Sequence, residues 1–533
     1  MTRILRTALC VAIACGGSAV VARAATSPDQ LGTVEFPNSC NAAAKPSIIS
    51  GVAFMHSFQY QQSEEAFEQA AKADPKCAIA FWGEAMARYH QLWDNPDAIA
   101  LTKGRDELAE AQKLKTGTPL ERGYIDAAAA YFKKDPKLTY ADRTRAYSEA
   151  MAKVHASNPD DVDASTFYAL SLVSLAYKDE KDAYDLRKQA LAILQPLFLS
   201  HPNHPGVAHY IIHAADTPQL ASQGLDAARA YAKIAPDSSH ALHMPSHIFV
   251  RLGLWQESAD SNIAASNAAA EAEKAHGGED HYQFHAMDYL AYSYVQMGQA
   301  AKADAVLADL KNVPGASAHH IATRQSYLDA RNALDLHRWK DAAALPVLEI
   351  DQADLAPTYW AKAIGSARTG DAASAKANLD KLVVAVAARN ERDKKDGNEV
   401  KDGKPVDQLE AEAWVAFAEK RGDDAVTSMR AAAERQESED FEDVVIPARE
   451  MLGDLFLELN RPDLAVKEYL ATLKNVAPNR FDSQFGAAVA ANKNGDPGNA
   501  RDYAVALQHR CGTDADRPEI RQLSMTIDKR WPH

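Results

Sequence analysis

The sequence predicts an all-α solenoid, a protein built from antiparallel helix pairs stacked side by side. The chain of 533 residues exceeds what one compact core holds, so a long array or several domains are expected. Apolar runs end repeatedly in a glycine and then resume as a helix, as at Gly253, Gly298 and Gly370. Pro202 and Pro236 close second helices 34 residues apart, a spacing that indicates a repeat of one helix pair.

Individual positions of the repeat match a known pattern. The stretch 63–75 follows the second-helix pattern of the tetratricopeptide repeat (TPR), with its matching positions at Ser63, Phe67, Ala70 and Pro75. The stretches 468–470 and 478–479 repeat this pattern near the C-terminus. The chain therefore resembles the TPR family over nearly its whole mature length, at about nine or ten repeats. This resemblance implies a right-handed superhelix whose first helices line a concave groove.

Two histidine motifs give a narrower resemblance. His204-Pro-Gly, followed by His209, and His243-Met-Pro-Ser-His247 resemble the signature of a group of bacterial exported TPR proteins. The resemblance implies no particular activity. The chain lacks a Gly-rich phosphate loop, a Gly-x-Ser-x-Gly elbow and a His-Glu-x-x-His motif. The sequence therefore leaves open whether the protein is an enzyme.

The first 24 residues predict export. Arg3 and Arg6 precede an apolar stretch of small residues, and Ala-Arg-Ala at 22–24 fits a cleavage site, which together indicate a signal peptide. Ala12 stands three residues before Cys15, a poor match to a lipoprotein site. The mature protein is therefore expected to be periplasmic or secreted, without a lipid anchor.

Charge and hydropathy argue against two classes of partner. The formal net charge is −15, and −18 without the three arginines of the signal peptide. Such an acidic surface argues against non-specific binding to nucleic acid or to anionic lipid. After the signal peptide no stretch of 18 apolar residues occurs, so no membrane span is expected. The expected partner is a small molecule or peptide in the groove, with a protein partner as the alternative.

The mature chain is expected to contain four segments. They are an extended lead-in at 25–46, N-terminal repeats at 47–200, His-rich central repeats at 201–340 and C-terminal repeats at 341–533. A charged, Gly-containing stretch at 390–408 is predicted to be a surface loop. Cys40 and Cys77 flank the first helix pair, where they either form a disulfide or lie as two buried thiols.

Ten of the 18 histidines fall between positions 201 and 285. His209 and His213 are four residues apart, as are His243 and His247, so each pair shares one helix face. The pairs are offset by 34 residues and therefore occupy equivalent positions on successive first helices. Neighbouring helices pack roughly 8–10 Å apart, so the four imidazoles are predicted to reach one ion. Pro245 is a difficulty, because a helix that begins there would loosen the second pair.

The same groove positions in adjacent repeats carry further polar side chains. His240 precedes the second pair, and His281 and His285 follow in the next repeat, so all three extend the predicted ligand set. Asp288 and Tyr292 are candidate catalytic groups on the same helix. The next helix offers side chains for a substrate carboxylate or phosphate, which we predict to be Arg324, Tyr327 and Arg331.

Clustered imidazoles predict a transition-metal site. Several histidines with little anionic charge favour copper or zinc over iron, and copper leads the affinity order. Asp216, one turn beyond His213, is a candidate acceptor for the hydrogen of a ligand imidazole. Glu450 is predicted to approach the groove if the superhelix closes on itself. The hypothesis is a metal-binding protein. If it is an enzyme, the expected substrate is an anionic small molecule or peptide.

Two alternatives stay open on these residues. In the first, the protein is an adaptor without catalysis whose groove binds an extended peptide, the common role of TPR proteins. In the second, the imidazoles bind an anionic partner or respond to pH. His201 and His204 lie beside prolines in a turn, where capping a helix is the expected role.

Overall fold

Helices make up the regular structure of this chain. The computed structural model describes residues 30–92, 95–178, 181–398, 400–439 and 444–523, and no strand occurs among them. None of the helices in these ranges has the length and apolar character needed to cross a membrane. The predicted signal peptide at 1–24 lies outside the described residues.

The described part of the chain contains 25 α-helices, each packed against its neighbours in sequence. The N-terminal helices are α1 (Lys45–His56), α2 (Tyr60–Ala73), α3 (Ala78–Ala87), α4 (Ala98–Leu114), α5 (Pro119–Tyr131), α6 (Tyr140–Ser157), α7 (Val162–Ala176) and α8 (Ala183–Ser200). The central helices are α9 (Pro205–Ala215), α10 (Leu225–Ile234), α11 (Ser239–His243), α12 (Pro245–Arg251), α13 (Trp255–His276), α14 (Asp280–Gln296), α15 (Ala300–Asp309) and α16 (Ala318–Asp335). The C-terminal helices are α17 (Trp339–Ala344), α18 (Ala356–Arg368), α19 (Ala372–Lys395), α20 (Val406–Ala418), α21 (Gly422–Ser438), α22 (Ala448–Glu458), α23 (Pro462–Asn475), α24 (Phe481–Lys493) and α25 (Pro497–Cys511). This stacking confirms the predicted all-α solenoid.

Aromatic side chains join neighbouring helix pairs at both ends of the array. Phe67 of α2 is fully buried against Gly83 of α3, where any larger side chain would collide with the ring. Tyr469 of α23 is buried in the same way against Gly486 of α24. A large residue in one pair therefore fills the space left by a glycine in the next, as close packing requires.

The predicted segment boundaries at 200 and 340 are not structural breaks. One hydrophobic core contains both Leu170 and Phe249, so it crosses the first boundary. A second core contains both Ala330 and Ala490 and crosses the other boundary, which also falls inside α17. Because each helix pair buries its apolar face against the next, a core can extend across both boundaries.

The predicted loop at 390–408 was too long, because residues 390–395 and 406–408 are helical. Helix α19 continues to Lys395, and α20 begins at Val406, so the connection is confined to 396–405. The last turn of α19 carries Arg392, Lys394 and Lys395, whose positive charges are favourable at a helix C-terminus. A charged composition indicated solvent exposure correctly but did not distinguish a loop from an exposed helix end.

The lead-in is fixed to the array by a disulfide and by packing. Cys40 and Cys77 form this disulfide, with their Cα atoms 5.0 Å apart, so the alternative of two buried thiols is wrong. Phe36 is buried, and Thr33 N donates a hydrogen bond to Asn203 O at 2.9 Å. The lead-in therefore reaches from the first helix pair to the start of α9.

The C-terminal repeats return to contact the central repeats. The carbonyl oxygen of Asn479 accepts a hydrogen bond from Trp255 Nε1 at 2.9 Å. Arg480 Nη1 donates to the hydroxyl of Tyr292 at 2.8 Å. The array is therefore curved enough for repeats that are distant in sequence to meet.

Candidate metal centre

Helix α9 carries the first histidine pair through the interior of the array. Pro205 occupies its first turn, and the His204 side chain caps it by accepting a hydrogen bond from Val207 N at 3.3 Å. Every residue of α9 is buried. His209 and His213 lie one turn apart on this helix, and their Nε2 atoms are 3.0 Å apart.

His240 of α11 joins this pair. Its Nε2 lies 3.1 Å from the Nε2 of His209, and we call His209, His213 and His240 the first triad. His209 Nδ1 donates to the main-chain carbonyl of His56 at 2.6 Å, because a carbonyl oxygen can only accept. Burial lowers the pKa of His209 to about 3, so this ring is neutral and its Nε2 lone pair points into the triad.

A second group forms around the other pair. His243 ends α11 and His247 lies in α12, with their Nε2 atoms 3.0 Å apart. Met244 between the two helices keeps right-handed helical dihedrals (φ −51°, ψ −36°), so the four-residue geometry persists despite Pro245. His285 of α14 completes this second triad, in which a ring nitrogen of each histidine lies within 4.8 Å of the others.

The imidazoles of the two pairs do not converge on one point. The prediction that His209, His213, His243 and His247 reach one ion was therefore wrong. The first pair, on α9, takes its third ring from α11, and the second pair, on α11 and α12, takes its third ring from α14. Two separate groups of three result.

A side-chain amide orients the His243 ring of the second triad through a hydrogen bond. Asn262 of α13 donates through Nδ2 to Ser258 O at 2.7 Å, which turns its Oδ1 toward His243 Nδ1 at 2.6 Å. An amide oxygen has no hydrogen to give, so His243 Nδ1 is the donor. The Nε2 of a neutral His243 is therefore a lone pair directed at His247.

A carboxylate holds the other ring. Asp216 Oδ2 lies 2.8 Å from His247 Nδ1, and its Oδ1 accepts from Arg251 Nε at 2.8 Å. Burial disfavours charge on Asp216, but Arg251 and His247 outweigh that effect and lower the pKa of the carboxyl group. Asp216 is therefore charged and accepts the Nδ1 hydrogen of His247, rather than one from His213 in the preceding turn.

The second triad therefore presents two lone pairs to each other. With both Nδ1 hydrogens donated away, the Nε2 atoms of His243 and His247 face each other across 3.0 Å, and the neutral form of each ring places a lone pair there. Burial lowers the pKa of His243 well below its usual value and that of His285 to about 3, which disfavours a shared proton. Imidazole nitrogens bound to one tetrahedral zinc ion stand about 3.3 Å apart, close to the observed separation. The arrangement fits a cation between the rings.

Both triads border one cavity of about 510 Å³, which we call the histidine cavity. His240 of the first triad and His247 and His285 of the second lie on its wall. Aromatic and polar side chains form much of the rest, including Phe58, Tyr60, His90, Glu279, His281, Tyr282 and Arg324. A ligand in this cavity would therefore contact both triads.

Arg324 is the predicted substrate-binding residue that lines the histidine cavity. Its Nε donates to His320 Nε2 at 3.4 Å, and His320 Nδ1 lies 2.8 Å from Asp280 Oδ2. The carboxylate accepts the Nδ1 hydrogen of His320, which leaves Nε2 as the acceptor for the guanidinium. This chain of contacts orients the positive charge on the cavity wall.

The other predicted groove residues lie away from the triads. Asp288 forms an ion pair with Arg331, and Arg331 Nη1 and the Tyr327 hydroxyl donate to one carbonyl oxygen at 3.0 and 3.2 Å. Tyr292 accepts a hydrogen bond from Arg480. Asp288 and Tyr292 follow His285 along α14 and are engaged in these contacts, so the structure does not support them as catalytic groups of the cavity.

Glu450 and His281 also lie outside both triads. Glu450 Oε2 accepts from Arg480 Nε at 2.8 Å, where the C-terminal repeats meet the central ones. His281 lies on the cavity wall, with its ring centroid 3.9 Å from that of Tyr282. Glu450 therefore belongs to the closure of the array, and His281 to the lining of the cavity.

A third histidine cluster was not predicted. His56 Nε2 lies 2.8 Å from Asp163 Oδ1 and its Nδ1 lies 3.0 Å from the Tyr210 hydroxyl, while His204 Nε2 is 3.3 Å from the same carboxylate oxygen. Each ring nitrogen has a partner of the appropriate polarity, so this cluster needs no cation. His56 comes from α1, more than 100 residues before α9, and no periodic signal links it to the other histidines.

Comparisons with known proteins give no family for this chain. No family model and no curated protein matches it. Among solved structures, the human IFIT1 dimer with m7Gppp-AAAA matches 81% of this chain and 89% of that chain, with 12% identity and a TM-score of 0.35. An IFIT1 monomeric mutant with Gppp-AAAA covers 88% and 97%, with 13% identity and a TM-score of 0.36. The P58(IPK) TPR domain covers 86% and 99%, with 11% identity and a TM-score of 0.22.

Proposed function

We propose that the protein binds a copper or zinc ion at the second triad and uses it to bind an anionic small molecule in the histidine cavity. The observation that supports this proposal is the pair of Nε2 atoms of His243 and His247. They face each other across 3.0 Å while both Nδ1 hydrogens are donated elsewhere. His285 adds a third neutral ligand and borders the cavity. Three protein ligands with one open position are typical of catalytic zinc sites.

The chemistry of the site follows from its charge. Three neutral imidazoles leave the full charge of a divalent ion facing the cavity, and imidazole sets suit copper and zinc. Such an ion attracts anions and lowers the pKa of a bound water. Arg324 adds a second positive charge to the same cavity. A carboxylate or phosphate between the ion and Arg324 would gain charge-assisted hydrogen bonds, while Phe58 and Tyr282 pack against its apolar part.

Metal analysis tests the first half of the proposal. Protein purified without chelator, or incubated with copper or zinc and dialysed, should retain at least about one ion per chain. His243→Asn combined with His285→Asn should lose about one ion while its circular dichroism stays unchanged. The control is His155→Asn, since His155 contacts Ser165 at 2.9 Å outside the cavity. Wild-type protein that retains neither ion would refute the proposal and leave the adaptor hypothesis.

Anion binding has a separate test. In copper-loaded protein, titration with inorganic phosphate should shift the visible absorption of the copper. Arg324→Gln should weaken phosphate binding by about tenfold or more, since a hydrogen bond to a charged group contributes about 1.5–3 kcal/mol. Arg229→Gln, at an exposed position, is the control. Equal phosphate affinity in the wild type and Arg324→Gln would exclude Arg324 from the binding site.

We also propose that the protein works outside the cytoplasm, in an oxidising compartment. The disulfide between Cys40 and Cys77 supports this location, because cytoplasmic reductants keep such pairs reduced. Cell fractionation with thiol labelling provides the test. The periplasmic or secreted fraction should contain the protein with both cysteines protected until a reductant is added. Protein found in the cytoplasm with both thiols labelled would contradict the proposal.

A further inference from the structure

We infer that the first triad binds a second metal ion, so that two ions face the histidine cavity and act on one ligand. This inference rests on the proposed function, because it adds an ion beside the centre described there. The observation behind it is the division of six imidazoles into two groups of three, both at the border of one cavity.

Three ring nitrogens converge at the first triad. His209 gives its Nδ1 hydrogen to the carbonyl of His56, so its Nε2 is a lone pair. The Nε2 atoms of His213 and His240 both approach that lone pair, at 3.0 and 3.1 Å. One lone pair accepts one well-directed hydrogen, whereas one cation would engage all three nitrogens.

The surroundings of the first triad strengthen this argument. The ring of Phe58 covers the triad, with centroid separations of 4.4 Å from His209, 5.5 Å from His213 and 5.6 Å from His240. All three histidines are buried, so water has little access to their nitrogens. Electrostatic interactions are stronger in such a setting, so water would screen little of the attraction between a cation and the three nitrogens.

The two triads are coupled by a short helix and by the cavity. His240 and His243, three residues apart on α11, belong to different triads. His240, His247 and His285 all line the histidine cavity. An anion long enough to reach both parts of this wall would therefore contact both ions.

The two sites should differ in affinity. His247 of the second triad donates to the carboxylate of Asp216, which makes its imidazole a stronger ligand. His209 of the first triad donates to an uncharged carbonyl. We therefore expect the second triad to fill before the first.

Copper(II) titration of the full chain, followed by metal analysis and electron paramagnetic resonance, tests the inference. The wild type should take up about two ions in two steps, and the second step should broaden or abolish the mononuclear signal by coupling between the ions. His213→Gln with His240→Gln should retain about one ion and a mononuclear signal at all copper concentrations. The same change in the second triad, His243→Gln with His285→Gln, is the matched comparison.

The outcomes separate this inference from the proposed function. Retention of about one ion by the wild type, unchanged by substitutions in the first triad, would overturn the inference and leave the proposed function standing. Uptake of about two ions with two independent mononuclear spectra would also overturn it, because the ions would not share a ligand space. The absence of any bound ion would refute both. The wild-type measurements decide these outcomes even if a variant fails to fold.

Discussion

The position of the hydrogen on His243 and on His247 is determined by the oxygen atom that contacts Nδ1 of each ring. Asn262 has its amide group fixed by Ser258 O, so it offers only an oxygen to His243. Asp216 does the same for His247 as a carboxylate. Neither residue lines the histidine cavity, yet the two draw both Nδ1 hydrogens away from it, which leaves the Nε2 atoms of the neutral rings as lone pairs.

Asn262→Leu should therefore weaken metal binding without touching a ligand. His243 would be released to carry its hydrogen on Nε2 and donate it to His247, and loss of such a partner costs about 10–100-fold in metal affinity. Competition titration with a zinc chelator measures the change. Asn378→Leu is the control, because Asn378 is buried and donates to the carbonyl four residues earlier, Ser374 O, at 2.9 Å. Equal zinc affinity in Asn262→Leu and the wild type would contradict this role.

The sequence identified the six histidines of the two triads but not their division into two groups. The four-residue spacing identified both histidine pairs, because that geometry is local to a helix. Assignment of His240 to one pair and His285 to the other depends on contacts between helices, which no spacing encodes. His56 shows the same limit: its carbonyl orients His209, and only the tertiary fold brings α1 against α9.

At the scale of elements, the junction between α11 and α12 preserves the second triad. Proline at the first turn of α12 removes one main-chain hydrogen bond, but Met244 keeps helical dihedrals, so the helix direction continues. The sequence raised a helix start at Pro245 as a difficulty for the second pair, and α12 does begin there. It could not show that the residue before a proline, usually extended, would stay helical here.

Pro245→Ala should leave metal binding unchanged. Alanine fits the dihedrals already present and restores a main-chain donor, so we expect an equal or higher melting temperature and the same number of bound ions. Thermal denaturation and metal analysis measure the two quantities. Pro462→Ala, at the first turn of α23, is the control. Loss of an ion in Pro245→Ala alone would show that the proline itself sets the spacing of the rings.

At the scale of the whole molecule, one buried arginine connects the C-terminal repeats to the central repeats. Arg480 of α24 is fully buried and contacts Tyr292 of the central repeats, Glu450 and Asp335. Glu450 was predicted to approach the groove through closure of the superhelix, and it lies at this junction. No sequence pattern indicated a role for Arg480, because repeat periodicity describes contacts between adjacent repeats and not between repeats far apart in the chain.

Arg480→Leu should destabilise the protein strongly. The change leaves Asp335 and Glu450 as buried carboxylates without their partner, and breaking a buried pair in this way costs about 3–5 kcal/mol. The midpoint of urea unfolding reports the loss. Arg421→Leu is the control, since its ion pairs lie at the solvent-exposed surface, where such pairs contribute little to stability. Similar midpoints for the two variants would show that Arg480 does not hold the curve closed.

The bond between His209 and the carbonyl of His56 makes the two triads respond differently to mutation. Every amino acid brings the same carbonyl oxygen, so no substitution at position 56 deletes that acceptor outright. The acceptors of the second triad are side chains, and one codon change at Asn262 or Asp216 removes either of them. The orientation of His209 in the first triad therefore depends on the path of the backbone at residue 56, whereas the orientations of His243 and His247 in the second triad depend on the identity of two side chains.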